Sequence, residues 1–388
     1  MAENLVPLHL AVALDGAGWH PAAWREPDAD PGGLFGAPYW LRLVREAQRG
    51  LLDFVTIDDS LGIQSSSRTA PDERTDQVRG RLDAELIAAR VAPLTSNIGL
   101  VPTVTVTHTE PFHVAKAIAT LDYVSTGRAG WQARVSTSGS DAELFGRREA
   151  PDNLAEVFDE AADVVEVARR LWDSWDDDAI IRDVASGRFV DTARLHYIGF
   201  SGKWFSVKGP SITPRPPQGQ PLVTLLAHRT IPYRLAARAA DLVYVTPRDV
   251  DTATAIVTEI RAEQESAGRA NEPVHVFGDV VVFLADTQRA ARDRLARLDE
   301  RAGTEYRSDA HVFAGTPAQL ADLLVDWSTA GLTGFRLRPG ALPYDLTAIV
   351  DGLVPELRAR SRFRTEYEAS TLRGLLGLSR PANRYTTV

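Results

Sequence analysis

Leu121–Gly146 reads LDYVSTGRAGWQARVSTSGSDAELFG. It begins as the end of a helix, turns at Ser125-Thr126-Gly127, runs on as a strand over Arg128–Val135 and opens into a polar loop. A core strand covered on both faces is normally rich in Val, Ile and Leu. This one carries Gln132 and Arg134, followed by Ser136, on a single face, because side chains alternate along a strand. A strand this polar at its exit is expected to line a binding site.

The flanking chain says which fold would expose that exit. Upstream lie strand candidates Leu5–Leu14, Leu51–Ile57 and Asn97–Val106. Helical stretches at Tyr39–Arg49, Leu82–Ala92 and Pro111–Tyr123 separate them. Downstream, strands are expected at Pro221–Ala227, Asp241–Val245, Val274–Leu284 and Gly334–Leu337. The intervening helices are Leu154–Trp172, Tyr233–Ala239, Thr252–Gln264, Thr287–Arg301 and Thr316–Thr329, with a last one at Leu346–Arg358. Strands alternating with helices on this scale make parallel βαβ units. Eight of them predict an α/β fold, the closed (β/α)8 TIM barrel, as one domain over residues 1–388. Insertions are expected at about 15–38, 60–80 and 173–220, with a basic, polar tail over 361–388. The third insertion alternates like a hairpin at His196–Ile198 and Trp204–Val207.

Composition removes several classes of function. The absence of cysteine excludes disulfides, thiolate metal sites and cysteine nucleophiles. A net charge of −9 without any Lys/Arg run argues against nucleic acid or a membrane surface as partner. The N-terminus lacks the pattern of a signal peptide, and no apolar run approaches a membrane span, so the expected location is the cytoplasm.

In a TIM barrel the active site is built from the carboxyl ends of the strands. Strand two exits into Asp58-Asp59-Ser60, where a carboxylate either caps the next segment or faces the mouth. Strand three carries Thr103, Thr105 and Thr107 on one face. Arg134 requires an anionic partner, for which Asp58 and Glu143 are candidates. Strand five exits into His228, Arg229 and Thr230 at a helix start, a ready phosphate site. The Trp-rich loop after strand one brings Trp19 and His20 over the mouth. Histidines and carboxylates are too sparse at the exits for a metal site. No P-loop, GxGxxG, GxSxG or HExxH motif is present.

Several stretches together resemble the bacterial luciferase-like flavin monooxygenases, in the branch of the nitrilotriacetate, EDTA and dibenzothiophene-sulfone monooxygenases. They are LDYVSTGRAGWQARVSTS, GWHPAAWR, DFVTIDDS, GLVPTVTVTHTEPFHVAK, LFGRR, LWDSWDDDA, KWFSVKGPSITPRPPQGQP and FAGTPAQLADLL. Their order spans nearly the whole chain. The resemblance implies a barrel that uses reduced FMN and O2 through a flavin C4a-(hydro)peroxide, with a separate NAD(P)H:flavin reductase as partner. It also implies a small organic substrate and a homodimer or homotetramer. On that basis Asp58, Thr103, Thr105, Gln132, Ser136, His228 and Arg229 are the expected cofactor-binding residues. Trp19 and Trp131 are expected on the substrate side, with His20 and His311 as catalytic candidates. The sequence departs from the branch at Leu154 and Phe158, where His and Tyr are usual. It departs again at Ala227–Pro232, AHRTIP, where a Ser-rich phosphate loop is usual. These departures keep two alternatives open, an F420-dependent hydride-transfer oxidoreductase and a non-catalytic luciferase-like subunit.

Overall fold

The computed structural model describes residues 7–66 and 72–385. The first two residues of the expected strand Leu5–Leu14, part of the 60–80 insertion and the last three residues of the tail lie outside that description.

Eight parallel strands close into a barrel. They are β1 (His9–Leu14), β2 (Phe54–Ile57), β3 (Gly99–Thr105), β4 (Gly130–Arg134), β5 (Leu222–Leu226), β6 (Leu242–Val245), β7 (His275–Leu284) and β8 (Gly334–Pro339). Each pairs with its neighbours in sequence, β8 returns to β1, and β6 pairs with β7 through Leu242↔His275 to Val245↔Gly278. Helices form the outer ring, among them Ala37–Arg49, Pro111–Val124, Leu154–Trp172, Thr230–Ala239 and Pro317–Ser328. The eight expected strands are all present, with ends shifted by a few residues.

Strand β7 is ten residues long and outruns its partner β6. Its upper half pairs instead with an additional parallel strand, His311–Gly315, through Val280↔His311 to Leu284↔Gly315. No strand was expected here, because five residues ending in glycine carry little strand signal. The extra strand extends the barrel wall at the mouth and delivers Asp309 there. Within the insertion at 173–220, Ile180–Asp183 pairs with Arg188–Val190, and Phe200–Ser201 pairs with Ser206–Val207. The second of these hairpins lies close to the expected one.

The barrel interior is layered. At the base, Ala11, Phe54, Val101, Leu222, Leu242 and Phe277 pack together with Leu372, Leu376 and Leu378 of the C-terminal tail. The tail is therefore more than a polar extension: its turn Leu372–Leu375 plugs the bottom of the barrel. Gly99 and Gly130 make room for the plug. A Cβ at Gly99 would come within 2.6 Å of a Leu372 methyl, and one at Gly130 within 3.2 Å. Above this apolar floor the interior turns polar.

Candidate active site at the barrel mouth

Barrel interiors are ordinarily filled by branched apolar side chains. Here the middle layer is charged. Strand β8 alternates Phe335-Arg336-Leu337-Arg338, so both arginines face inward, and β7 supplies Asp279 opposite them. Arg336 donates to Asp279 from two nitrogens, at 2.9 and 2.6 Å, and also donates to the Gln132 side-chain oxygen. Its guanidinium lies 3.6 Å from the centre of the Tyr244 ring. Arg338 donates to Asp279 and, at 2.7 Å, to Asp309 beside the additional strand. All of these except Asp309 are buried. Buried arginines survive only when paired and hydrogen-bonded, and this network meets that condition.

The network continues outward. His228 at the β5 exit lies 3.5 Å from Asp309 and 3.1 Å from the Thr246 hydroxyl at the β6 exit. Burial lowers the pKa of the His228 ring, which favours the neutral form. Burial acts to raise the Asp309 pKa, but Arg338 overrides it and holds this carboxyl well below its usual range.

A second charged cluster lies across the mouth. Arg81, from the loop after β2, donates to Asp58 at 2.7 Å and to Asp15 at 3.0 Å. Arg134 reaches Asp58 at 3.4 Å and the Asp59 carbonyl at 2.7 Å, so Asp58 is the partner that Arg134 required. Asp59 instead accepts from the Ala84 amide at the start of the next helix. The two readings of this exit thus both hold, one for each carboxylate. Asp15 and Asp58 share one guanidinium but titrate apart. Burial, reinforced by the Asp58 charge, pushes Asp15 up to about 6 against the pull of Arg81. Burial acts to raise Asp58 too, but Arg134 and Arg81 together hold it low. Two acids driven in opposite directions are a common arrangement for moving a proton.

Thr103 and Thr105 line the interior between these clusters, in register with Gln132 and Arg134. The Thr103 hydroxyl is buried and has no hydrogen-bond partner. Ser136 donates to Asp141 at 2.6 Å and its amide donates to the Thr107 hydroxyl, which ties the β4 exit to the β3 exit. Arg229 is the exposed N-cap of helix Thr230–Ala239, and no side chain caps that helix start. Trp19 donates from its indole to the Ala13 carbonyl, and its ring lies 4.6 Å from the Arg338 guanidinium, at the mouth.

Three expected site residues make structural contacts of their own. With Gln132 facing inward, alternation turns Trp131 outward, where it packs edge-on against Trp172 of the helical layer. His20 is buried; one ring nitrogen accepts from the Ala22 amide and the other pairs with Asp299 at 3.1 Å, which fastens the loop after β1 to helix Gln288–Ala302. His311 leans on Trp327 of helix Pro317–Ser328, 5.5 Å between ring centres. Conversely, the sequence reading passed over Asp15, Arg81, Asp279, Asp309, Arg336 and Arg338. The RLRP alternation of β8 was the signal for the last two. His108 also emerges, buried at the β3 exit at φ 70° with neither ring nitrogen partnered. Leu154 is exposed and Phe158 half-buried. No group of three or more potential metal ligands occurs among the described residues.

The mouth is therefore a polar, doubly charged site to which all eight strands or their exits contribute. Comparison with known proteins gives the family. Residues 18–320 match the model of the family described as luciferase-like monooxygenase. The chain is 31% identical to N-acetyl-S-(2-succino)cysteine monooxygenase of Bacillus subtilis, over 99% of this chain and 100% of that protein. It is 30% identical to nitrilotriacetate monooxygenase component A of Aminobacter aminovorans, over 95% of each. The crystal structure of a long-chain alkane monooxygenase superposes with a TM-score of 0.87 at 24% identity, over 96% of this chain and 95% of that one. The family match and the full-length similarity show that this enzyme belongs to the luciferase-like monooxygenase family.

Proposed function

We propose that the chain is the oxygenating component of a two-component monooxygenase, taking reduced FMN from a separate flavin reductase and using O2 to oxidise a small organic molecule. The observation that carries this reading is the unpartnered, buried Thr103 hydroxyl set between two arginine clusters at the mouth. A flavin fits these donors. Its ring is planar and gains negative charge on reduction, which Arg134 and the Arg336–Gln132 pair would offset. Its phosphate would find the uncapped start of helix Thr230–Ala239 and the exposed Arg229, in place of the family's Ser-rich loop. Asp58, Thr103, Thr105, Gln132, Ser136, His228 and Arg229 would form the cofactor shell, and Trp19 would lie on the substrate side.

When bound, reduced flavin supplies the oxygen-activating chemistry. The protein's share is to orient the ring, exclude water and manage one proton. Asp15, which titrates near neutrality beside an ionised Asp58, is the group suited to hold that proton. The test is an anaerobic titration with reduced FMN, followed by mixing with O2. Saturable binding and a transient flavin absorbance are expected, with binding at least tenfold weaker in Arg229→Ala. Binding of F420 in preference to reduced FMN, without oxygen consumption, would overturn the reading.

A further inference from the structure

A cleft of about 650 Å3 opens at the base of the barrel, the end opposite the mouth. It lies between helix Leu154–Trp172, helix Thr230–Ala239 and the tail, beside Gln220, Asp241 and Pro273, the residues that enter β5, β6 and β7. Arg169, Arg170, Arg238, Arg269, Arg373 and Arg384 line it, against only three carboxylates, Glu166, Asp241 and Glu272. The pairing is shared rather than one to one. Asp241 serves Arg169 at 2.9 Å and Arg373 at 3.3 Å. Glu166 serves Arg170 at 2.7 Å and Arg384 at 2.9 Å, the latter also 3.8 Å from Asp173. Arg269 and Glu272 neutralise each other at 2.7 Å. Arg238 is exposed in the last turn of its helix, with Asp163 nearby. Six lining arginines against three lining carboxylates, with Asp163 and Asp173 just outside the lining, leave a small local surplus on a chain whose net charge is −9. Arg169 registers the crowding: burial, and after it Arg373 and Arg384, lower its pKa against the attraction of Asp241.

We propose that this cleft binds a small, multiply charged oxyanion carrying two or more phosphate or carboxylate groups. Its size suits a small organic ligand, since such sites span about 300–1,000 Å3. Guanidinium forks bind phosphate and carboxylate oxygens in pairs. Val165, Leu378 and Pro381 give it apolar wall as well. Because Arg373 and Arg384 come from the tail and the other arginines from the barrel, the ligand joins the two and tightens the plug at the base.

Calorimetric titration of the full chain at low ionic strength, with pyrophosphate and separately with citrate, tests the proposal. Saturable binding of either at one site per chain is expected, and the stronger of the two identifies phosphate or carboxylate as the source. Arg238→Gln, at an exposed position, and Arg384→Gln should each weaken it about tenfold, the effect of one charge-assisted hydrogen bond. Arg289→Gln, exposed on helix Gln288–Ala302 and away from the cleft, should leave it unchanged. Circular dichroism confirms that the variants fold. Absence of binding by both anions, or binding that is lost in Arg289→Gln and kept in Arg238→Gln and Arg384→Gln, overturns it.

Discussion

At the scale of single residues, Asp279 carries the most weight. It is buried and holds both Arg336 and Arg338, so its removal leaves Arg336 with no carboxylate, only the Gln132 oxygen, and Arg338 with Asp309 alone. Breaking a buried pair costs about 3–5 kcal/mol because the remaining charge keeps its desolvation penalty. Asp279→Ala should therefore lower unfolding stability in urea by at least that much, whereas Asp279→Asn, which still accepts hydrogen bonds, should lose less. Equal stability of Asp279→Ala and wild type would show that the network is not held in this way. Asp15 gives a prediction with a pH sign. Its folded value of about 6 lies above the 3.8 of an ordinary aspartate, through burial and the Asp58 charge. Between those values the folded chain holds more protons, so this residue's contribution is fully present below about pH 4 and is lost as pH rises through about 6. Asp15→Asn does not titrate. Relative to wild type it should gain up to about 3 kcal/mol between pH 4 and pH 7.5. Urea titrations of both proteins at the two pH values measure this, and a difference that stays flat with pH would refute it. The exits of β2, β3 and β4 were legible in the sequence because a polar side chain just past an apolar run stands out. Arg336 and Arg338 were not read, since an arginine within a strand looks the same whether it faces a helix or an aspartate across a barrel.

At the scale of elements, strand count and order were readable because each βα unit carries its own hydrophobic run and helix signal. Strand His311–Gly315 escaped because its pairing depends on β7 outrunning β6, a relation between two distant segments. The tail escaped for a similar reason. TLRGLLGL is too short and too mixed to declare a buried face, and only the vacancies at Gly99 and Gly130 give Leu372 somewhere to go. Leu372 is fully buried among Phe54, Val101 and Leu222. Leu372→Ala should leave a cavity and cost about 2–5 kcal/mol, as large-to-small changes in a core do. Thermal unfolding measures it. A loss under about 0.5 kcal/mol, typical of a surface substitution, would mean that the tail lies over the base without filling it.

At the scale of the whole molecule, the closed sheet leaves no seam. Pairing of β6 with β7 and of β8 with β1 makes every barrel strand depend on two neighbours, and the tail ties the last part of the chain to the first strands at the base. The mouth and the plug occupy opposite ends of the same strands, with the Arg336–Asp279 layer between them. A chain of 388 residues often unfolds in more than one step. This one should unfold in a single transition, because no group of strands can leave without opening the barrel. Tryptophan fluorescence, which follows buried Trp131 and Trp172 on the β4 side, and far-ultraviolet circular dichroism, which follows the helices, should then give coincident melting curves. Two perturbations at opposite ends should act on that one transition. FMN at about a hundred times its dissociation constant should stabilise the fold by about 2.7 kcal/mol and raise the midpoint by a few degrees. Leu372→Ala should lower the same midpoint, and the variant with FMN should fall between the two, since sites without shared contacts add. If the tail substitution instead produced a separate early phase that FMN leaves unmoved, the base would be a unit of its own, and the barrel would have to be regarded as two cooperative parts.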